Sequence, residues 1–454
     1  MTFRAGVGGE SFRFPDLRTL LARANEPKSG DELAGVAATS QRERVAAKIA
    51  LADVRVRDVV ETELVDDEVS HAIRDALDED AYASIASSSL GELRDAVLAP
   101  EFVSRWEHGL GAGVMPEVAA AVAKLMGAKD LALVASRLHV RTRCRTTMGG
   151  ADVLGVRLQP NHPTDDPVGV ALAVVDGLRH GCGDAMIGIN PAEDATASIV
   201  RLQHLLGDIV ERWEIPTQTC VLAHVTSQLE ALAAGAPVDL LFQSVAGTEA
   251  ANRSFGIDLG LLAEGRDAVR ASHRERSASF VGDQVMYFET GQGSALSADA
   301  HHGLDQLTVE ARAQAVARLF DPFLVNTVVG FIGPEYLADA RQISRAALED
   351  LFTGKLLGLP MGIDVCYTNH VDADQDTNDQ LLLLSALAGA AFVMGVPGAD
   401  DIMLGYQSTS FQDAVAVREM TGRTAVPEFE AWFRDRGRDA WDLASLERLA
   451  LEVG

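Results

Sequence analysis

Eight short apolar runs, separated by longer amphipathic stretches, constrain the fold of this chain more than any other feature. They are VLGVRLQ (153–159), AMIGIN (185–190), CVLAHV (220–225), DLLFQS (239–244), QVMYFET (284–290), NTVVGFI (326–332), GIDVCYT (362–368) and AAFVMGV (390–396). Each is too apolar for a strand with one wet face, so the strands they predict belong to a parallel sheet covered on both sides. The stretches between them have helical spacing. In DATASIVRLQHLLGDIVERW (194–213), Ile199, Leu202, Leu205, Leu206, Ile209 and Trp213 form one stripe, with Asp194 placed as the N-cap. ARAQAVARLF (311–320) and EYLADARQISRAAL (335–348) repeat the pattern. Eight such units fit closure into a (β/α)8 TIM barrel of the α/β class better than an open sheet. The open dinucleotide-binding alternative also lacks its fingerprint, because GLGAG (109–113) and GQGSA (291–295) miss the third glycine and the strand–turn–helix setting.

Residues 1–130 read as a mostly helical N-terminal region, 131–425 as the barrel and 426–454 as a C-terminal helical segment. PDLRTLLARAN (15–25), ERVAAKIALADV (43–54) and PEVAAAVAKLM (116–126) are amphipathic, the last with Pro116 at a favoured first helical position. The chain length of 454 residues accommodates a barrel of about 250 residues with flanking helices. A formal charge of −27 repels phosphate backbones and anionic lipid, which argues against nucleic-acid and membrane-surface partners. Cys144, Cys182, Cys220 and Cys366 are too widely separated for a zinc knuckle or a disulfide framework. The uncharged stretch Leu381–Ala399 reads as a helix end followed by a buried strand, since Ser385, Gly389, Gly395 and Pro397 interrupt it. The N-terminus has no apolar leader segment, so the expected location is the cytoplasm.

In a barrel the active site is assembled at the carboxyl ends of the strands. The first run ends in Arg157 and Gln159, the second in Asn190, the fourth in Gln243 and the fifth in Glu289. The sixth ends near Phe331, and Asp364 lies within the seventh. A single polar residue at a strand end is usually the start of a solvated loop. Glu289 and Asp364 are different, because each follows an apolar run and a desolvated carboxylate needs a partner or a task. A structural ion pair with Arg157 is one such outcome, and a small polar substrate is the other. Familiar signatures are missing: there is no HExxH, GxSxG or P-loop. His301 and His302 lack a convergent ligand at metal spacing. Asp372, Asp374 and Asp376 resemble the start of a calcium loop, but Thr377 replaces its glycine, so they read as a helix start.

The blocks NPAED (190–194), HVTSQLEA (224–231), FQSVAGTEAANRSFGI (242–257), MYFETGQGSALSADAHHG (286–303), NTVVGFIGPEYL (326–337), GIDVCYTNHVDADQD (362–376) and GADDIMLGYQSTSF (398–411) resemble the large subunit of ethanolamine ammonia-lyase. The resemblance extends to SGDELAGVAA (29–38), ERVAAK (43–48) and RLQPNHPTDD (157–166), and so covers essentially the whole chain. It implies a (β/α)8 barrel that holds ethanolamine inside and meets adenosylcobalamin at its mouth. Arg157, Gln159, Asn190, Glu289, Phe331 and Asp364 match the family's substrate contacts, with Arg157, Glu289 and Asp364 in catalytic roles. Pro191, Gln243, Ser297 and Met403 match its cofactor contacts, and no protein metal ligand is implied. DAHHG (299–303) falls short of the Asp-x-His-x-x-Gly cobalamin motif, because Leu304 stands where the glycine belongs. The resemblance accordingly implies a corrinoid that keeps its own base on cobalt, bound between this chain and a separate small subunit in a hetero-oligomer built on dimers of the large subunit. One departure from the family pattern is DAVRASHRERSASFV (267–281), read as a longer and more basic loop.

The implied reaction is radical migration of the substrate amino group, followed by loss of ammonia to leave acetaldehyde. Asp364 would face the substrate ammonium with help from Gln159 and Asn190, Glu289 would accept from the hydroxyl, and Arg157 would steady negative charge on the hydroxyl oxygen. Two rivals stand beside this expectation. One is a metal-dependent barrel lyase or aldolase using Glu289 and Asp364 as ligands; the other is a non-catalytic scaffold, which would show damage at the substrate positions. Whether a bacterial microcompartment is used is not written in the sequence.

Overall fold

Every one of the eight apolar runs overlaps a strand, and the strands stand side by side in chain order. The computed structural model describes residues 1–276, 280–330, 333, 335–368 and 370–436. The strands are β1 (Gly155–Leu158), β2 (Met186–Ile189), β3 (Thr219–Val221), β4 (Leu241–Ser244), β5 (Met286–Thr290), β6 (Leu324–Val329), β7 (Met361–Val365) and β8 (Phe392–Gly395). Their pairing is parallel throughout, and β8 returns to β1 with Met394 opposite Arg157, which closes the ring on that side. The helices that follow each strand are α1 (Pro167–Arg179), α2 (Thr196–Arg212), α3 (Val225–Ala233), α4 (Leu259–Glu275), α5 (Gln306–Arg318), α6 (Ala340–Leu356), α7 (Gln375–Leu387) and α8 (Phe411–Thr421). This is the (β/α)8 barrel. Its strands are buried on both faces because helices cover the outside and side chains fill the inside.

One seam is made differently. Between β3 and β4 no strand ladder forms among the described residues. The Leu240 N–H reaches the Thr219 carbonyl at 3.2 Å, and the Asp239 carboxylate accepts from the Thr219 N–H at 3.1 Å. The rest is closed by the fully buried amide of Gln228 on α3. It donates to the Ala223 and Phe242 carbonyls at 2.6 and 2.8 Å and accepts from the Phe242 N–H at 3.1 Å. A side chain here does what a neighbouring strand does elsewhere, satisfying backbone groups that would otherwise be stranded out of water.

The N-terminal region is helical from Leu17 onward, with Asp16 capping Leu17–Ala24 through the Thr19 N–H and Pro116 opening Pro116–Lys124. Its first residues depart from the expected helices. Phe3–Val7 and Glu10–Phe14 form an antiparallel hairpin, turned by Gly8 and Gly9 at φ 59° and 84°. A Gly-Gly pair between alternating apolar residues favours that tight turn, because both positions need left-handed backbone. This region is pinned to the barrel by buried charges. Lys28 meets Glu349 of α6 at 2.7 Å, and Lys124 meets Asp305, the N-cap of α5, at 3.0 Å. Burial alone would raise the Glu349 carboxyl, but Lys28 and Arg345 pull it down to about 2.

Three smaller expectations meet the structure as follows. Asp194 is not the N-cap of α2: that position is held by Ala195 without a side-chain cap, and Glu193 instead accepts from Ser198 inside the first turn at 2.6 Å. The stretch from Asp267 is not a loop but the last turns of α4, ending at Glu275, and Arg276 then pairs with Asp239 at 2.9 Å; residues 277–279 lie outside the described residues. Asp374 does start α7, accepting from the Thr377 N–H at 2.9 Å. The uncharged stretch near residue 390 divides into the end of α7 and β8, and among the described residues no helix is long and apolar enough to cross a membrane. A C-terminal helix, Pro427–Arg436, follows α8, and residues 437–454 lie outside the described residues.

Candidate active site

Alternation along the strands decides which side chains point into the barrel. Arg157 and Gln159 share one face of β1, and Tyr287 and Glu289 share one face of β5. At the carboxyl end of the barrel lies a cavity of about 400 Å³. Arg157, Gln159, Asn190, Glu289 and Asp364 all line it, so the structure brings five of the six predicted substrate residues together. The sixth, Phe331, lies outside the described residues. Apolar walls come from Phe242, Val245, Phe255, Val328, Met394 and Leu404.

The polar groups form two sets. In the first, the fully buried Arg157 donates through Nη1 to Glu289 Oε1 and to the Tyr287 hydroxyl, both at 2.8 Å. Tyr287 in turn donates to Glu289 Oε1 at 2.7 Å. Arg157 has room to lie there because residue 188 is glycine: a Cβ at Gly188 would stand 2.8 Å from its Nε. Burial pulls against the guanidinium charge, but Tyr287 and Glu289 more than offset this and hold it protonated. Its Nε and Nη2 have no partner among the described residues. Glu289 Oε2 likewise receives no hydrogen bond from them.

In the second set, Asp364 accepts from the Ser408 hydroxyl at 2.9 Å and from the Tyr406 hydroxyl at 3.2 Å. No lysine or arginine among the described residues lies within ion-pair distance of it. Burial, reinforced by the charge of Glu289, pushes its carboxyl up to about 6 despite those two hydroxyls and Arg157. Gln159 Nε2 donates to Asp401 at 2.6 Å and to Tyr406 at 3.1 Å, while its Oε1 is buried without a partner among the described residues. Asn161 donates to the same Asp401 oxygen at 2.7 Å and accepts from the Asn190 N–H at 2.8 Å. Asp401 belongs to a short hairpin, Asp400–Asp401 with Tyr406–Gln407, that leans over the mouth after β8.

The predicted cofactor residues also sit on segments at the strand ends, although none of the four lines the cavity itself. Pro191 follows Asn190, Met403 neighbours the lining Leu404, and Ser297 closes the helical turn that begins at the lining Ser294. Ser297 is exposed and Pro191 and Met403 are half-buried. Gln243 is engaged in the β3–β4 seam, accepting from the Val225 N–H at 3.0 Å and donating to the Ser244 carbonyl at 3.2 Å. The loop that follows Glu289 is braced from behind. Gly291 N–H donates to Glu310 at 3.0 Å, and Gln292 reaches Asp350 at 2.8 Å and Glu349, the partner of Lys28, at 3.2 Å.

Sequence reasoning missed Tyr287, Asn161, Asp401, Tyr406 and Ser408. Tyr287 was within reach, standing two residues before Glu289 on the same face of its strand. The others act through loops, where no period announces them.

The comparisons with known proteins point one way. A family model described as Ethanolamine ammonia lyase large subunit (EutB) matches residues 12–440. Among curated proteins, the Ethanolamine ammonia-lyase large subunit of Escherichia coli (strain K12) is 46% identical over 440 residues, covering 96% of each chain. The protein of the same description from Salmonella typhimurium matches at the same identity and coverage.

Proposed function

Because the chain belongs to the ethanolamine ammonia-lyase large-subunit family, we propose that it converts ethanolamine to acetaldehyde and ammonia as the catalytic subunit of an adenosylcobalamin-dependent enzyme. One observation carries the reading. Among the described residues the buried carboxylate of Asp364 has no cationic partner, and it shares a cavity with an arginine whose Nε and Nη2 donors find no acceptor there. Ethanolamine is complementary to that arrangement, with an ammonium at one end and a hydroxyl at the other.

The roles follow from the contacts. Asp364 takes the ammonium, because its charge is uncompensated while that of Glu289 is already met by Arg157 at 2.8 Å. Gln159 adds its free Oε1 to the same ammonium, and Asn190 stands beside it. Glu289 accepts a hydrogen bond from the substrate hydroxyl through Oε2. The unused donors of Arg157 then stabilise negative charge on the hydroxyl oxygen as the amino group migrates. Tyr287 keeps Arg157 and Glu289 in register by touching both. The chemistry supplied by bound adenosylcobalamin is hydrogen abstraction through its adenosyl radical. Pro191, Ser297 and Met403 would hold that group at the mouth, where they leave surface uncovered, and Gln243 keeps an amide hydrogen for it. The apolar walls exclude water from a reactive radical. A small subunit is the expected partner, in a hetero-oligomer built on dimers of this chain, and the cytoplasm is the proposed location.

The test is ammonia release from purified chain, small subunit and adenosylcobalamin, prepared in the dark and after illumination. Turnover that is lost on illumination and insensitive to chelators is expected. No ammonia, or activity abolished by chelators, refutes the reading.

A further inference from the structure

We propose that Asp401 is a positioning residue that sets the hydrogen-bond polarity of the substrate pocket, forcing Gln159 to present its carbonyl oxygen to the substrate ammonium. The proposal rests on the functional reading above. Its basis is that a carboxylate can only accept. Asp401 is 3% exposed and collects four donors. Oδ1 takes the Met403 and Leu404 N–H groups at 3.1 and 2.8 Å, and Oδ2 takes Gln159 Nε2 at 2.6 Å and Asn161 Nδ2 at 2.7 Å.

An amide can turn over in place, exchanging its donor and acceptor ends at no steric cost. Asp401 removes that freedom from two amides at once. With its nitrogen committed to Asp401, Gln159 must direct Oε1 elsewhere, and that oxygen is buried and without a partner among the described residues. The same commitment makes Gln159 a donor to the Tyr406 hydroxyl, which leaves Tyr406 to donate its proton to Asp364. A single acceptor therefore orders a chain running from Asp401 through Gln159 and Tyr406 to Asp364. The acceptors at the cavity end of that chain, Gln159 Oε1 and the Asp364 carboxylate, both belong to residues that line the cavity. Asn161 is ordered in parallel: its nitrogen goes to Asp401, so its oxygen is free to hold the Asn190 N–H. A neutral amide in place of the Asp401 carboxylate has no such authority. With its oxygen kept against the Met403 and Leu404 N–H groups, its nitrogen would replace Oδ2 and oppose two donors, and both amides would have to turn over. Gln159 would then show its NH2 to the ammonium and draw the Tyr406 proton away from Asp364.

The experiment compares wild type, Asp401→Asn and the pair Asp401→Asn/Gln159→Glu in the complete enzyme. It reads KM and kcat for ethanolamine and calorimetric binding of ethanolamine and of neutral 1,2-ethanediol. Asp401→Asn should raise the ethanolamine KM by about ten- to a hundredfold, the range for a hydrogen bond to a charged group, with a smaller change in kcat. Diol binding should be unaffected. The second change should recover most of the lost affinity, since Gln159→Glu supplies an acceptor that the nitrogen introduced by Asp401→Asn can hold. An unchanged KM in Asp401→Asn, equal loss of diol binding, or failure of the double variant to recover overturns the proposal. If Asp401→Asn alone does not fold, the pair decides. A folded double variant that binds ethanolamine supports the argument from polarity, and an unfolded one overturns it. A wild-type enzyme that neither binds nor deaminates ethanolamine is a different result, because it refutes the functional reading first.

Discussion

Replacing Asp364 by Asn should do two opposite things, and their combination is hard to obtain from any other reading of the site. The carboxyl is buried and its pKa is pushed from the ordinary 3.8 up to about 6. That interval is equivalent to about 3 kcal/mol, which the folded protein loses by keeping an anion there at neutral pH. The sign follows from the direction of the shift. A raised carboxyl pKa leaves stability intact below 3.8, erodes it as pH rises through about 6, and costs the full amount above that. Asn carries no charge at any pH, so it escapes the penalty. It also surrenders one good hydrogen bond to Ser408 or Tyr406, about 1 kcal/mol. Asp364→Asn should therefore be about 2 kcal/mol more stable than wild type at pH 7, with the advantage vanishing near pH 4. Affinity moves the other way. Losing one partner of a buried charge pair costs about 3–5 kcal/mol, which is roughly two to three and a half orders of magnitude in the dissociation constant for ethanolamine. Thermal unfolding at both pH values and calorimetric titration with ethanolamine read the two effects separately. The wild-type affinity should also fall about tenfold per pH unit below about 6, as the carboxylate takes up a proton, and the variant should lose that dependence. A folded variant with unchanged affinity refutes the assignment of the ammonium to Asp364, and one less stable at pH 7 than wild type refutes the burial penalty on its anion.

Glu289→Gln should fold and retain the cofactor, since the amide oxygen can still accept from Arg157 and Tyr287, but it presents NH2 where Oε2 is proposed to accept from the substrate hydroxyl. Ammonia release should fall on the order of a hundredfold through misplacement of the reacting carbon, with little substrate radical by paramagnetic resonance; near-normal turnover removes Glu289 from the mechanism. The chain without its small subunit should hold adenosylcobalamin weakly and turn over little, and equal rates with and without that partner would sink this expectation. Gln228→Leu should lower the melting temperature sharply, because it strands the Phe242 N–H and two carbonyls in the β3–β4 seam at about 1–3 kcal/mol each. An unshifted melting temperature would show that the seam closes without it.

What could be read in the sequence, and what could not, divides along a physical line. The eight strands were legible because burial on two faces writes itself as an unbroken apolar run. Glu289 and Asp364 stood out because a charge in such a run contradicts it. The N-terminal hairpin was missed although Gly8 and Gly9 announced it; the helical pattern from Leu17 onward was extended too far back. Gln228 was illegible for a different reason. A lone amide on a helix reads as surface, and only the gap between β3 and β4 gives it work. Asp401 was further out of reach. It meets Gln159 across 242 residues of sequence, and a carboxylate on a polar loop is the most ordinary of residues.

The charges that line the cavity also bear on the rival metal-dependent reading. Among the described residues they are Arg157, Glu289 and Asp364, one cation against two anions, so this lining carries one net negative charge. An ammonium brings that total to zero, whereas a divalent ion held between the carboxylates would leave it positive by one. Such an ion would also have to share Glu289 with a guanidinium already 2.8 Å away and buried. Two unit positive charges about 4 Å apart repel by about 4 kcal/mol at an effective dielectric constant near 20, and a divalent ion doubles this. Arg157 cannot relieve the conflict by losing its proton, because its neighbours raise its pKa further. Nor can it swing aside cheaply, since Gly188 and Tyr287 shape the slot it occupies. The arginine that would orient Glu289 towards a hydroxyl is thus the same group that makes the pair of carboxylates a poor seat for a metal. Asp364, the one anion left uncompensated, is suited to a single positive charge.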